Sequence, residues 1–267
     1  MAAVRGEAET GGMQLSEDSF RALARSSPWR WRSLHLTRRG GMEETVEAWV
    51  RRPGAAGPAV TELVVKDASG RRQLERHEAG AGQTLLSVAV SDDGDRAAAA
   101  AALALSEQPV RWAGDVTPVV RLDGLVAHRP DDWWVDYGAP IWENYRWAAM
   151  LDPVELADGG VERDDEVVRC EGTVVTDLRE GRHRGRPAWR ATVAAAEGYD
   201  PTCGCCPLLW SRAADLVEYG VDAPRGVDYP IAFEVALDVQ AAIVVELVPL
   251  GGERANDTLD VEIHDVR

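Results

Sequence analysis

Three of the chain's four cysteines fall in one stretch, Asp200-Pro201-Thr202-Cys203-Gly204-Cys205-Cys206-Pro207. Thiolates attack electrophiles, exchange with disulfides and hold soft metals, so reactive chemistry is concentrated here. Cys203 and Cys206 form a C-x-x-C with Cys205 inside it. If Pro207 is the first residue of a helix, Cys206 is its N-cap. Free N–H groups and the helix dipole would then lower the pKa of that thiol. Cys170 falls in an expected strand and should be shielded. Three readings of the thiols stand: structural, a metal or disulfide staple, and a redox pair at Cys203 and Cys206. A four-cysteine zinc site usually draws two ligands from each of two separated knuckles. One compact group plus the distant Cys170 lacks the second knuckle, so neither a metal nor another cofactor is expected. The alternation of strands and helices that makes C-x-x-C a thioredoxin-like signature is missing.

Upstream, Asp152-Pro153-Val154-Glu155 reads as a helix start, with Asp152 as cap, Pro153 at the first position and Glu155 two residues on. Just before it lies a dense aromatic segment: Trp133, Trp134, Trp142, Tyr145, Trp147 and Met150. Aromatic rings supply large apolar area of fixed shape, so Trp133, Trp134, Trp142, Trp147 and Met150 are candidate lining residues of an apolar ligand site. The competing reading is a helical lid packed on a sheet.

No other residues assemble a reaction centre, and no catalytic residue is assigned. His35, His77, His128, His183 and His264 are scattered and form no H-x-x-x-H or H-E-x-x-H. Asp131-Asp132 and Asp164-Asp165 sit in polar runs that give neither carboxyl an apolar site. There is no G-x-S-x-G, Walker loop or G-x-G-x-x-G.

The elements that must position these residues are mostly strands. Ser16 caps an expected helix over about 16–26, ended by Pro28. Trp29 and Trp31 alternate with Arg30 and Arg32, which predicts a half-buried strand over 29–37. Further strands are expected near 44–51, 59–66, 71–78 and 84–90, and an alanine-rich helix over 95–107. Short strands follow near 110–113, 117–122 and 125–128, the last two joined by Asp123-Gly124. Beyond the loop 130–141 comes a helix over about 142–151. Strands over 165–178 and 186–196 flank an Arg- and Gly-rich turn, and the cysteine loop leads into a helix over 207–219 ended by Gly220. Three alternating strands, 231–239, 241–248 and 259–264, close the chain as an antiparallel meander. Hairpin-linked strands with helices inserted in groups indicate an α+β fold: a large twisted antiparallel sheet covered by a few helices. One domain is expected over 16–267, with 1–15 as a tail.

The formal charge is −16, from 29 basic and 45 acidic residues. Such a field repels phosphate backbones and anionic headgroups, so neither nucleic acid nor membrane is an expected partner. Residues 1–15 contain no apolar h-region, and no stretch approaches the roughly eighteen apolar residues of a membrane span. The expected location is the cytoplasm, where thiols stay reduced. Lys66 is the only lysine. That bias, with abundant Ala, Val, Gly and Asp, resembles high-GC actinobacterial coding.

The leading Trp-rich strand at 29–37, the segment Glu47-Ala48-Trp49-Val50-Arg51-Arg52-Pro53, the Leu122-Asp123-Gly124-Leu125 hairpin and Gly185-Arg186-Pro187-Ala188-Trp189 resemble bacterial periplasmic lipoprotein carriers of the LolA-like type. They also resemble the relatives of those carriers that bind sigma-factor regulators. The whole chain is similar to a set of actinobacterial proteins sharing Met150-Leu151-Asp152-Pro153-Val154-Glu155-Leu156-Ala157 and Cys203-Gly204-Cys205-Cys206-Pro207. The resemblance implies a curved antiparallel half-barrel closed by helices over an apolar cavity. The function expected is a non-catalytic binding module for an apolar small molecule or peptide. A cytosolic thiol redox enzyme and a regulatory protein-binding partner are the alternatives.

Overall fold

The computed structural model describes residues 13–40, 45–53, 60–66, 69–70, 72–78, 111–130, 135–139, 141–163, 166–253 and 258–267. The expected strand at 84–90, the alanine-rich helix at 95–107, and Trp133 and Trp134 lie outside them, as do residues 1–12 of the expected tail. Met13 and Leu15 pack against the core.

Helix α1 (Glu17–Arg25) starts where Ser16 predicts. The Ser19 N–H donates to Ser16 Oγ at 3.1 Å, and the Ser16 N–H donates back to Ser19 Oγ at 2.7 Å. This is a capping box with serine in place of the usual acid. Pro28 does not end the helical region. It lies in the first turn of a second short helix, α2 (Ser27–Arg30), where proline's fixed φ suits a helix and no N–H is needed. The strand expected from residue 29 is therefore displaced to β1 (Ser33–Arg39). Trp29 and Trp31 do not share a strand face. Trp31 is buried, and the Trp29 indole donates to the Val116 carbonyl at 2.8 Å.

The strands that follow are β2 (Val46–Arg51), β3 (Val60–Lys66), β4 (Arg72–Glu78), β5 (Arg111–Trp112), β6 (Val119–Val120), β7 (Val126–His128) and β8 (Val135–Asp136). Helix α3 (Arg146–Leu151) and a 3-10 turn (Val154–Leu156) precede β9 (Gly159–Arg163), β10 (Glu166–Cys170), β11 (Thr173–His183) and β12 (Arg186–Ala195). Helix α4 (Arg212–Tyr219) then leads to β13 (Ala232–Asp238), β14 (Val244–Leu250) and β15 (Leu259–Val266). The turn expected at 179–185 is shorter in the structure: β11 runs on to His183, and only Arg184-Gly185 turn, both at positive φ.

Nine strands form one antiparallel sheet in the order β11-β12-β13-β14-β15-β1-β2-β3-β4. The sheet is open, with β11 and β4 at its edges, and the fold is α+β as expected. Its centre is the pairing of the first strand with the last: β1 lies between β15 and β2, with Leu36 opposite Ile263 on one side and Ala48 on the other. Two meanders, one from each end of the chain, are thereby fused edge to edge.

Strand alternation separates the two faces. Val175, Val193 and Phe233 form one apolar row across three strands; Ala191, Val235, Leu247 and Leu259 form the next. Leu34 and Val50 continue the surface with Leu63. Helix α1 presents Phe20 and Leu23 to this core and packs on β7, β11 and the 3-10 turn, while α3 packs on β14. The opposite face carries cross-strand ion pairs. Arg51 and Arg76 flank Glu62, Glu47 pairs with Lys66 and His35, Arg39 pairs with Glu262, and Glu246 and Asp260 gather His183, Arg184 and Arg190. Among the described residues no helix is long and apolar enough to cross a membrane.

Candidate functional site

The two sequence motifs meet. Glu155 is 1% exposed, and three donors converge on its carboxylate. The Tyr199 hydroxyl and the Leu208 N–H donate to Oε1 at 2.8 and 2.7 Å, and the Thr202 N–H donates to Oε2 at 2.9 Å. Tyr199 Oη in turn accepts the Leu209 N–H at 3.0 Å. Thr202 and Leu208 bracket the cysteines, so one buried carboxylate holds both ends of the loop. Burial pushes the Glu155 carboxyl above its ordinary range, although these three hydrogen bonds and the nearby Arg146 charge pull the other way.

This network explains why the helix after the loop begins late. The expected start at Pro207 is corrected to Arg212, with Ser211 as N-cap accepting the Ala214 N–H at 3.3 Å. The N–H groups of Leu208 and Leu209 are taken by Glu155 and Tyr199, while Leu208, Leu209 and Trp210 are buried. Cys206 is therefore not at a helix N-terminus. Its pKa is raised rather than lowered, by burial first and then by Cys203, with the Cys205 hydrogen bond opposing.

The three thiols stand together. Cys203 Sγ lies 2.8 Å from Cys205 Sγ, Cys205 Sγ lies 3.5 Å from Cys206 Sγ, and all three lie within 4.8 Å of one another. Among the described residues no imidazole nitrogen or carboxylate oxygen joins this set. Gly204 lets the loop seat on α4: a Cβ there would stand 2.8 Å from Glu218 Cβ and 3.0 Å from the Glu218 backbone nitrogen. Cys203 is the thiol held below its ordinary value. Desolvation pushes it up, but hydrogen bonds from the Cys205 and Cys206 thiols and amides outweigh this. Cys205 is pushed to about 12, chiefly because its S–H donates to Cys203. The expected shielding of Cys170 is corrected too. It lies in β10 at the rim of a two-stranded ribbon with β9 and is exposed. All four cysteines are free thiols.

Asp152 also differs from expectation. The turn Val154–Leu156 forms, but its N-cap position is Pro153 and no side chain caps it. The Asp152 carboxylate instead makes a two-point pair with Arg129, including Nη1 to Oδ2 at 2.9 Å, with both side chains about nine-tenths buried. Arg129 Nε donates to the Arg25 carbonyl at 2.9 Å, tying the end of α1 to the same point.

Of the five aromatic-segment candidates, Trp147 and Met150 are fully buried members of the sheet–helix core, and Trp142 is half-buried against it. The Trp142 and Trp147 indole N–H groups find no acceptor among the described residues. Arg38, on the core side of β1, places its guanidinium 5.1 Å from the Trp147 ring centroid and pairs with Glu143 at 2.9 Å. A shallow cleft of about 200 Å3 is lined by Trp29, Arg30, Trp31, Arg32, Gly114 and Arg267.

Sequence reasoning missed Tyr199, the contact of Cys205 with Cys203, and the role of Glu155. A usable signal was present: Glu155 is the one acid in the otherwise apolar run Pro153-Val154-Glu155-Leu156-Ala157. An acid flanked on both sides by core residues is buried with them and needs internal donors.

No family model and no curated protein matches the chain. Among solved structures, MucB aligns over 98% of this chain and 61% of its own, at 11% identity and a TM-score of 0.38. MucB in complex with MucA(peri) aligns over 94% of this chain and 57% of its own, at 12% identity and a TM-score of 0.37. The chain thus spans about three fifths of the length of these solved chains.

Proposed function

We propose that this chain is a non-catalytic binding module whose recognition element is the cysteine loop, with the nine-stranded sheet as its scaffold. The observation that carries the reading is the convergence of three reduced thiols within 4.8 Å on a loop tied at both ends to buried Glu155. A set of side chains gathered and held in this way is pre-organised for a thiophilic ligand, and pre-organisation lowers the ordering cost of binding.

The test is a challenge of the reduced full chain with Cd2+, read by native mass spectrometry and iodoacetamide labelling. The expected result is one ion per chain, with Cys203, Cys205 and Cys206 shielded and Cys170 still modified. Four thiols that alkylate equally with and without the ion reject the reading.

A second reading is binding of an apolar, peptide-like partner. The observation favouring it is the run of exposed apolar side chains on and after α4: Leu216, Val217, Tyr219 and Val221, beside the loop that seats on Glu218. A fluorescent amphipathic peptide should bind there and be weakened by Val221→Asp. Binding unchanged in that variant would sink the idea.

A further inference from the structure

We propose that Cys203, Cys205 and Cys206 form a three-thiolate site for a monovalent soft metal ion, Cu(I). This rests on the binding-loop reading above and adds the chemical class of the ligand. The sulfurs already stand close to the required arrangement. An ion bonded to three sulfurs at about 2.3 Å in one plane separates them by about 4 Å. The observed separations include 2.8 and 3.5 Å, and none exceeds 4.8 Å.

The donor set selects the ion. A structural zinc site takes four protein ligands in a tetrahedron, and among the described residues only three donors of the histidine, cysteine and carboxylate types come together here. Thiolates alone suit Cu(I), which has no need of the oxygen or nitrogen donors that harder ions require. The loop's architecture supports selectivity as well. All three ligands come from residues 203–206, held by the Thr202 and Leu208 amides on Glu155 and by the close seat of Gly204 on α4. So short a stretch cannot spread to enclose a larger coordination shell.

Access and charge favour a cation at the same place. Cys205 is exposed, so an ion reaches the site from solvent. A formal charge of −16 concentrates cations around the molecule. On binding, three S–H bonds are replaced by three S–Cu bonds, and the three protons pass to solvent. Copper enters and remains as Cu(I), so no oxidant or reductant takes part.

The experiment uses the full chain, reduced and kept anaerobic, titrated with Cu(I) held by a competing chelator, and in parallel with Zn2+ and Cd2+. The expected result is one Cu(I) per chain, ultraviolet thiolate-to-copper absorption, and protection of Cys203, Cys205 and Cys206 but not Cys170 from iodoacetamide. Cys205→Ser should bind Cu(I) roughly 100-fold more weakly or worse, since even outer-shell partners are worth up to that factor. Should that variant fail to fold by circular dichroism, the protection map of the unaltered chain decides. If Cd2+ shields the three thiols while Cu(I) stays with the chelator, or if Zn2+ binds more tightly than Cu(I), the copper assignment is overturned and the binding loop survives. If no ion shields them, both are overturned.

Discussion

The Tyr199 hydroxyl donates to Glu155 at 2.8 Å at the entrance to the cysteine loop, and through this bond the interior of the molecule helps set the shape of the thiol cluster. Both side chains are buried, and each also takes a backbone N–H of the buried segment Leu208-Leu209. The loop's two ends are thus held by a carboxylate 47 and 53 residues away in sequence rather than by its own turn chemistry alone.

Removing that carboxylate leaves the buried Tyr199 hydroxyl and Leu208 amide, and the part-buried Thr202 amide, without their acceptor. Each such loss costs about 1–3 kcal/mol. Glu155→Ala is therefore expected to destabilise the fold by about 3 kcal/mol or more, measured by urea unfolding. Hydrogen exchange at the Thr202 and Leu208 amides should accelerate well beyond that of the strand amides. A loop that exchanges as slowly in the variant as in the parent would show that the staple is dispensable.

Asp152 separates two roles that the sequence confuses. As an N-cap it would tolerate asparagine, because Asn and Asp cap almost equally well. As the partner of buried Arg129 it cannot, because a neutral amide leaves a buried cation uncompensated, at a cost of about 3–5 kcal/mol. Asp152→Asn should therefore cost nearly as much as Asp152→Ala in thermal or urea unfolding. Near-complete rescue by asparagine would return Asp152 to the cap role.

How much was legible in the sequence depends on which forces are local. The alternation of Phe233, Val235 and Leu237 declares a strand with one buried face, and the structure places all three in the core. Ile231 continues the same alternation but lies before the strand starts and is 82% exposed. Pro28 and Pro207 both mislead, for one reason. Proline signals a break or a start, and its neighbours decide which. Pro28 begins α2 because the chain turns straight into a second helix, and Pro207 begins nothing because Glu155 and Tyr199 claim the next two amides. The pairing of β1 with β15 had no local signal, since Leu36 and Ile263 sit at opposite ends of the chain. In the aromatic segment, composition told of apolar area but not of its use: Trp147 and Met150 fill the core.

The outer face of the sheet predicts acid sensitivity. Glu246 is held at about 2, first by its hydrogen bond to His183, with burial opposing and Arg190 reinforcing. In an unfolded chain a glutamate titrates near 4.5. A folded pKa below the unfolded one contributes stability above about pH 4.5, and that contribution is lost as pH falls toward 2. Asp260 is also depressed: burial opposes, and Arg184 and His183 prevail. Urea midpoints should therefore fall between pH 4.5 and 2, and Glu246→Gln should flatten that fall while lowering stability at neutral pH. An unchanged slope in the variant would place the acid sensitivity elsewhere.

One thiol of the loop should react ahead of its neighbours. A helix start at Pro207 would favour Cys206, but the structure moves that start to Arg212 and raises the Cys206 pKa by burial and by Cys203, against the Cys205 hydrogen bond. Cys205 is pushed to about 12 by donating to Cys203 and stays protonated at any working pH. Cys203 receives those hydrogen bonds, which favour its thiolate over the desolvation that opposes it. Within the loop, Cys203 should therefore alkylate ahead of Cys205 and Cys206 near pH 8, as thiolate fraction governs reactivity. Cys170 is exposed and should also react, in contrast to a residue shielded in a strand. Peptide mapping after a brief iodoacetamide pulse reads all four sites at once. In Cys203→Ser the fast loop modification should disappear without moving to Cys206. If Cys206 instead becomes the fast site in that variant, its thiolate is stabilised by something other than the cluster, and donation from Cys205 and Cys206 to Cys203 does not govern the loop's reactivity.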